Sequence, residues 1–481
     1  MDKLATRTQA VRQCRSSLGR RSILDRRGRG FVPPIALRGR VRPGRMNQQP
    51  NMLLFGAVLG TSLLLLDLYV LSHWTSFARK RHLNRWWYRI PWTAAATMFI
   101  VLAAMLLRRH FFRMDGFDVT LMGFVSLWYL PKFGIAAVLL VRDLLRGAMY
   151  LWQRFTSHRS PQPAVIASGS LQPAVIASGS PQPAVIVDAV QPSRRAFLGK
   201  AAWSVSAVPF VIVGRGMWST LYDFRTYRQE LVIDRLPRAL DGIRIAQISD
   251  VHAGSFPDHR PFEEVRRILD SEQADLIVIT GDFVNQKPRE LSMISRELER
   301  LSAPYGVMAC LGNHDHYNTP QEHGDLKRAL GSMGVDLLVN RNRRIGPEGS
   351  ALVIAGTDNT GFRQSFARLD RALEGVNPDD AVVLLAHDPT FWDKEVVGQG
   401  NIDLMLSGHT HGGQFGVQFA GFEWSPAQHV YRQWAGLYTK GRQHLYVNRG
   451  IGTVGPPMRI GIPPEVTIFT LRSAPFTKGL A

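Results

Sequence analysis

Cysteine is nearly absent from this chain. Cys14, in a basic tail, and Cys310, inside the hydrophobic run VMACL, are the only two among 481 residues. One cysteine past residue 200 excludes a disulfide within the C-terminal half and a thiolate-rich structural zinc site there. Cys310 is expected to be a small buried hydrophobe. Positive charge is also missing where a nucleic-acid enzyme needs it: residues 201–481 carry 29 Lys+Arg against 31 Asp+Glu, while residues 1–200 carry 29 against 7. The formal net charge of +20 and the pI near 10.5 therefore come from the N-terminal part. A nearly neutral C-terminal half supplies no field to gather a polyanion, and no nucleic-acid partner is expected.

The N-terminal part instead holds long apolar runs. Residues 52–71, 92–107 and 119–141 approach or exceed the roughly 20 apolar residues needed to cross a bilayer. Clustered arginines and Trp86, Trp87 and Trp92 flank them in the manner of membrane boundaries. The third run contains Pro131-Lys132 and is either a kinked span or a re-entrant segment. Three decapeptide copies follow over residues 161–190, PQPAVIASGS, LQPAVIASGS and PQPAVIVDAV, whose Pro, Ser and Gly content suits a flexible tether. Next, Ser193-Arg194-Arg195-Ala196-Phe197-Leu198-Gly199-Lys200 precedes an apolar run over residues 201–213. This string resembles a twin-arginine export signal, which implies the twin-arginine machinery as a partner. No A-x-A cleavage site follows, so the segment is expected to remain as an anchor. The C-terminal part is then expected on the extracytoplasmic side of the cytoplasmic membrane.

These features divide the chain into a basic, disordered tail (1–50), a membrane region of about three helices (51–150), a Pro/Ser/Gly linker (151–192), a signal and anchor helix (193–216) and a C-terminal domain (217–481). Export requires Arg194 and Arg195 to be cytoplasmic, and three full spans before them would put the N-terminus outside, with the basic loop from Arg79 to Arg89 inside. Residues 1–45, with 13 Lys+Arg against 2 acids, translocate poorly, whereas a chain starting at Met46 leads with MNQQPN. Met46 is accordingly expected to be the physiological start; the rival is a re-entrant third segment with the tail inside.

The chemistry lies in five short motifs in the C-terminal domain: Asp250-x-His252, Gly281-Asp282, Gly312-Asn313-His314-Asp315, the isolated His387, and Gly408-His409-Thr410-His411. Each follows a hydrophobic run that reads as a buried strand, namely IRIAQIS, DLIVIT, VMACL, AVVLLA and IDLMLS. Loops at the carboxyl ends of strands can turn polar side chains toward one rim without disturbing the core. Two divalent cations about 3.5–4 Å apart need a carboxylate small enough to bridge them and imidazoles for the remaining positions. Asp282 is the natural bridge.

The ordered set resembles the calcineurin-like metallophosphoesterase family, whose order D-x-H, G-D, G-N-H-[D/E], H, G-H-x-H has a counterpart here at every position. The likeness runs over residues 242–472, through GHTHGGQ, NRGIG and PPEVTIFTL, and looks like the membrane-associated bacterial branch. It implies two divalent metals, Mn, Fe or Zn. Asp250, His252, Asp282 and His411 would hold one, and Asp282, Asn313, His387 and His409 the other. His314 is left as general acid or charge stabiliser, with Asp315 orienting it. The implied reaction is hydrolysis of a phosphodiester, phosphomonoester or lipid-linked pyrophosphate by metal-hydroxide attack. The alternative is a non-catalytic membrane sensor that binds a phosphorylated ligand.

Arg449 is a candidate for phosphate contact or for a salt bridge. His316, His323, His429 and His444 match no ligand position, and Asp358 and Asn359 either line the cleft or form a turn. Phe415, Phe419, Phe422, Trp424, Tyr431, Trp434 and Tyr438 crowd the chain after the last motif, as an apolar flap for a lipid tail or as core packing. Helical spacing in PFEEVRRILDSE, ELSMISRELERL and SFARLDRALEG alternates with the strands, which predicts an α/β fold. The resemblance makes that fold a two-sheet α/β sandwich behind an α-helical membrane region; the alternation alone also fits a single doubly wound sheet.

Overall fold

Apolar runs without polar interruption are the pattern of strands covered on both faces. In the computed structural model, which describes residues 52–111, 116–157, 207–348, 350–361 and 364–474, those runs build two six-stranded sheets. The basic tail, the decapeptide repeats and the twin-arginine string lie outside the described residues. Chain contacts separate two units, residues 1–55 and 56–481. In the first only residues 52–55 are described, as the start of a helix, and both sheets belong to the second.

One sheet has the order β1 (Arg225–Ile233), β16 (Glu465–Ser473), β2 (Arg244–Ile248), β3 (Leu276–Thr280), β4 (Val307–Cys310), β5 (Val335–Leu337). The other runs β14 (Gly436–Lys440), β15 (Gln443–Val447), β11 (Leu404–Ser407), β10 (Ala381–Leu385), β7 (Leu352–Gly356), β6 (Arg341–Ile345). Two short hairpins, β8–β9 (Thr360–Gly361, Gln364–Ser365) and β12–β13 (Val417–Phe419, Phe422–Trp424), stand apart. The sheets pack face to face: Ile245, Leu276, Val278 and Met308 of the first share one buried cluster with Ile354, Val383, Leu385 and Leu406 of the second. This settles the choice between one sheet and two in favour of the sandwich. Cys310 lies in that inter-sheet layer, fully buried.

Successive strand residues face opposite sides, so the other half of each run needs its own cover. On the first sheet it comes from helices, with Phe262, Val265 and Leu269 of α5 (Arg260–Glu272), Leu298 of α6 (Ser295–Leu298), and Leu326 and Leu330 of α7 (Pro320–Ser332). Phe391, Trp392 and Val396 cover the second. Two of the three expected helices are shorter than their spacing suggests. ELSMISRELERL breaks into a 3₁₀ turn, Pro288–Met293, and α6. The Glu290 carboxylate accepts the N–H groups of Asn285, Gln286 and Lys287 at 2.5, 3.1 and 3.0 Å, which holds the turn against the loop after Asp282. SFARLDRALEG keeps only α8 (Leu369–Ala372), because Ser365 pairs in β9.

Three helices before this domain are long and apolar enough to cross a membrane: α1 (Met52–Lys80), α2 (Trp86–Phe111) and α3 (Gly116–Ser157). The third continues as one helix through Pro131. Lys132 forms a buried ion pair with Asp67 of α1, and its ammonium sits 3.5 Å from the Trp128 ring centre. A pair of opposite charges taken out of water together fixes the helices' register. A fourth helix, α4, covers residues 207–218 and leads into β1. A Cβ on Gly134 of α3 would meet Pro209 of α4 at 3.7 Å, and one on Gly123 would meet Met217 at 2.8 Å.

Candidate metal centre

Each of the five motifs sits where expected, at the carboxyl end of β2, β3, β4, β10 or β11. These strands are parallel within their sheets, so the five loops leave both layers of the sandwich on one rim. Three overlapping groups result, each with its ligand atoms within 4.8 Å of one another: Asp250, His252 and His411; His252, Asp282 and His314; Asp282, His387 and His409. His252 joins the first two and Asp282 the last two, with Asp282 Oδ2 3.5 Å from His252 Nε2 and 3.0 Å from His387 Nε2. His411 Nε2 lies 3.3 Å from Asp250 Oδ1 and 3.1 Å from His252 Nε2. His409 Nδ1 lies 3.3 Å from His387 Nε2.

The backbone is bent to make this possible. Asp250, His252, Asp282, His409 and His411 all have positive φ, between 43° and 75°, a region costly to any residue with a Cβ. Five such residues persist only because surrounding contacts over-determine the loops. Two glycines show how tight those contacts are. A Cβ on Gly281, at φ 88°, would meet Gly312 N at 2.7 Å, and one on Gly408 would overlap Ser249 Oγ and Asp250 Oδ2.

The donor set fits divalent cations. The Asn313 amide nitrogen donates to Tyr317 Oη at 2.8 Å, which leaves its buried Oδ1 without a hydrogen-bond partner. A buried acceptor aimed this way among imidazoles and carboxylates calls for a cation. His387 Nδ1 donates to the Thr280 carbonyl at 2.7 Å, which turns Nε2 toward Asp282. Protonation states agree for three of the four imidazoles; burial opposes the charge on His387, but Asp282 outweighs it and raises this residue to about 10, a proton that a cation would have to displace. Burial lowers His252 to about 3 and His409 to about 4, and takes His411 well below its ordinary value, so these imidazoles offer lone pairs. Burial pushes Asp282 up, but His387 and His314 outweigh it and hold the carboxylate well below its usual range. Burial raises Asp250 to about 6, with the neighbouring Asp282 charge adding to it, an anionic excess that cations would relieve.

Residues 243–413 match the family described as Calcineurin-like phosphoesterase, and residues 51–220 match one described as Probable Calcineurin-like phosphoesterase, transmembrane domain. A metallophosphoesterase of Aquifex aeolicus is 31% identical over 271 residues, which cover 55% of this chain and 98% of that one. This chain belongs to the calcineurin-like metallophosphoesterase family. The Bacillus subtilis metallophosphoesterase YkuE is 30% identical over 301 residues, 58% of this chain and 98% of its own. The Escherichia coli phosphodiesterase YaeI is 30% identical over 246 residues, 50% and 88% of the two chains. The protein is thus a metal-dependent phosphoric ester hydrolase with a membrane domain.

Two expected roles in the phosphoesterase site need correction. Asp315 does not orient His314. Its carboxylate accepts the backbone N–H groups of Asp282, Phe283 and Gly312 at 2.9–3.0 Å and so clamps the Gly-Asp loop to the Gly-Asn-His-Asp loop. His314 is held instead by the Asn285 carbonyl, 2.7 Å from its Nδ1, and its backbone N–H donates to Asp282 Oδ1 at 2.8 Å. Arg449 is the second. It is 3% exposed and paired to Glu465 at 2.6 Å and Glu423 at 2.8 Å, so its guanidinium is committed within the protein rather than offered to a phosphate. Replacing Arg449 by Met leaves Glu465 buried without its cation, and is expected to destabilise the domain by about 3–5 kcal/mol. Thermal unfolding of the solubilised protein reads this; an unshifted midpoint with a raised KM alone would restore the phosphate-contact role.

Three of the other four histidines have structural partners. His316 Nε2 meets Asp358 Oδ1 at 2.7 Å and its ring stacks between His323 and Phe366, His323 Nδ1 lies 2.9 Å from the Asp315 carbonyl, and His444 pairs with Thr439. Sequence reasoning placed Tyr431 only among the aromatics of a flap or core, whereas its hydroxyl lies 3.1 Å from His409 Nε2, and it missed Asn285. Neither sits in a motif, so spacing carried no signal for them.

Proposed function

We propose a membrane-anchored phosphoesterase with a two-cation centre, acting on a phosphodiester, phosphomonoester or lipid-linked pyrophosphate presented at the membrane. Asp250, His252, Asp282 and His411 would hold one cation, and Asp282, Asn313, His387 and His409 the other. When bound, the pair supplies Lewis acidity toward the phosphoryl oxygens and lowers the pKa of water toward neutrality. The chain's own contribution follows from its geometry. His314, steadied through Nδ1 by Asn285, keeps Nε2 for the proton that the leaving oxygen needs. Asp315 holds the two loops that carry Asp282, Asn313 and His314 in fixed separation. Val251, Phe256 and Phe283, all buried, keep bulk water from the back of the site.

The observation that carries the membrane part of this reading is contiguity. α3 approaches the turn Ala253–Ser255 that follows His252, and Arg459 N donates to the Gly216 carbonyl of α4 at 3.1 Å. The site's rim is therefore the edge nearest the apolar helices. Four crossings, with Arg79, Lys80, Arg81 and Arg85 inside, would put the catalytic domain outside the cytoplasmic membrane, as the twin-arginine string demands. The metal is expected to be Mn, Fe or Zn, since every donor is nitrogen or oxygen.

Purified full-length protein should hydrolyse an aryl phosphodiester, lose the activity on chelation, and regain it with Mn²⁺ or Zn²⁺. No hydrolysis by metal-loaded protein would sink the enzymatic reading in favour of a sensor. Labelling of an introduced cysteine at exposed Arg442 in intact cells by an impermeant maleimide tests the orientation, and protection of that residue would reverse it.

A further inference from the structure

The chain that leaves the last ligand motif does not fold back into the core. Six residues after His411 it enters the hairpin β12–β13, which has Phe419 77% exposed, Phe422 61% and Val417 49%, with Phe415 just before it at 46%. An apolar patch of this kind on a soluble face is a liability unless something covers it. Its place in the fold says what does. Gly416 N donates to the Ile460 carbonyl and Ile460 N to the Gln414 carbonyl, both at 2.8 Å, so the base of the hairpin is strapped to the segment around Ile460. That segment lies against α4, where a Cβ on Gly216 would meet Ile460 Cγ1 at 2.8 Å. A Cβ on Gly123 of α3 would meet Pro457, just before that segment, at 3.9 Å. α4 itself exposes Val208, Val211 and Ile212, the apolar surface of a membrane helix. The hairpin's phenylalanines and the apolar helices are thus joined through one short, hydrogen-bonded segment. At its other end the hairpin is tied to the domain through Glu423 to Arg449 at 2.8 Å, and to the site through the continuous chain from His411.

We infer that the β12–β13 hairpin dips into the lipid interface and guides a lipid-borne phosphate ester from the bilayer to the metal centre. The partner is the bilayer surface beside the protein's own helices. Aromatic rings suit the boundary between headgroups and acyl chains, and the turn Ala420–Gly421 adds no charge to resist insertion. This deepens the proposed function and rests on it for the substrate, but not for the membrane contact.

The contact is read without turnover. A nitroxide at Phe419→Cys, in a full-length Cys14→Ser chain reconstituted in phosphatidylethanolamine/phosphatidylglycerol nanodiscs, should be accessible to oxygen and shielded from a nickel chelate. A label at Arg442→Cys should show the opposite. Equal nickel access at the two positions, or shielding of Phe419→Cys that persists in detergent dimers and is lost on their dilution, would overturn the inference in favour of no partner or a second copy. Guidance is read separately, with hexadecyl and ethyl 4-nitrophenyl phosphates. Wild type should prefer the long chain by at least ~10-fold in kcat/KM. Phe419→Ser/Phe422→Ser should abolish that preference and keep the ethyl ester's rate within about two-fold. Equal losses on both esters would overturn guidance, and absence of hydrolysis of either would fault the phosphoesterase reading while the depth measurement still decides the contact.

Discussion

Asp282→Ala is expected to lose bound metal and activity together. The carboxylate sits between two groups of donors, 3.0 Å from His387 Nε2 and 3.5 Å from His252 Nε2, and is 1% exposed. Gly312 packs so closely against it that a Cβ there would overlap Asp282 Oδ1. Without the carboxylate, two cations would face each other across a buried gap with no shared anion. Charge stabilisation by metals contributes several kcal/mol to a phosphoryl transfer. At 1.36 kcal/mol per decade, turnover should fall by about 10³-fold or more. Metal content by mass spectrometry and hydrolysis of an aryl phosphodiester, measured on the same sample, check this. A variant that hydrolyses normally would remove Asp282 from the bridging role.

His314→Ala should behave differently, keeping both metals while turnover falls by roughly 10²–10⁴-fold, the range for losing a general acid. His314 Nδ1 is committed to the Asn285 carbonyl, so only Nε2 is left for a leaving group. The size of the defect should depend on that group. A nitrophenolate departs without a proton and needs little help, whereas an alkoxide needs the proton in the transition state. The variant's loss should therefore be largest with alkyl esters and shrink with nitrophenyl esters. An equal loss on both would indicate that His314 stabilises charge rather than donating a proton. Loss of metal would make it a ligand, as its grouping with His252 and Asp282 also allows.

Much of this site was legible in the primary structure, for a chemical reason. Metal centres accept few residue types, and loops at the carboxyl ends of buried strands are where such residues can point inward. The hydrophobic runs before Asp250, Asp282, Asn313, His387 and His409 end as strands within a residue or two of where they were expected. The helices were less legible. α5 follows its spacing, but the run ELSMISRELERL breaks because the Glu290 carboxylate satisfies three backbone donors in the preceding loop. A backbone N–H is the same at every residue, so no pattern announces that partner.

The same reason limits Asp315 and Arg449. Adjacency suggested that Asp315 orients His314, and residue type suggested that Arg449 meets phosphate. Both side chains were claimed by partners distant in sequence: Asp315 by N–H groups about 30 positions earlier, and Arg449 by a carboxylate 16 positions later. The amino-acid sequence by itself determined which residues are candidate ligands, that strands precede them, and that apolar helices come first. Only the tertiary structure decided that loops from two sheets meet at one rim, that five candidate ligands adopt left-handed backbone, that α3 continues as one helix through Pro131, and that Phe419 and Phe422 face outward. Ligand identity is a requirement of local chemistry. Convergence, strain and exposure depend on which surfaces pack together, and packing is settled between residues far apart in the chain.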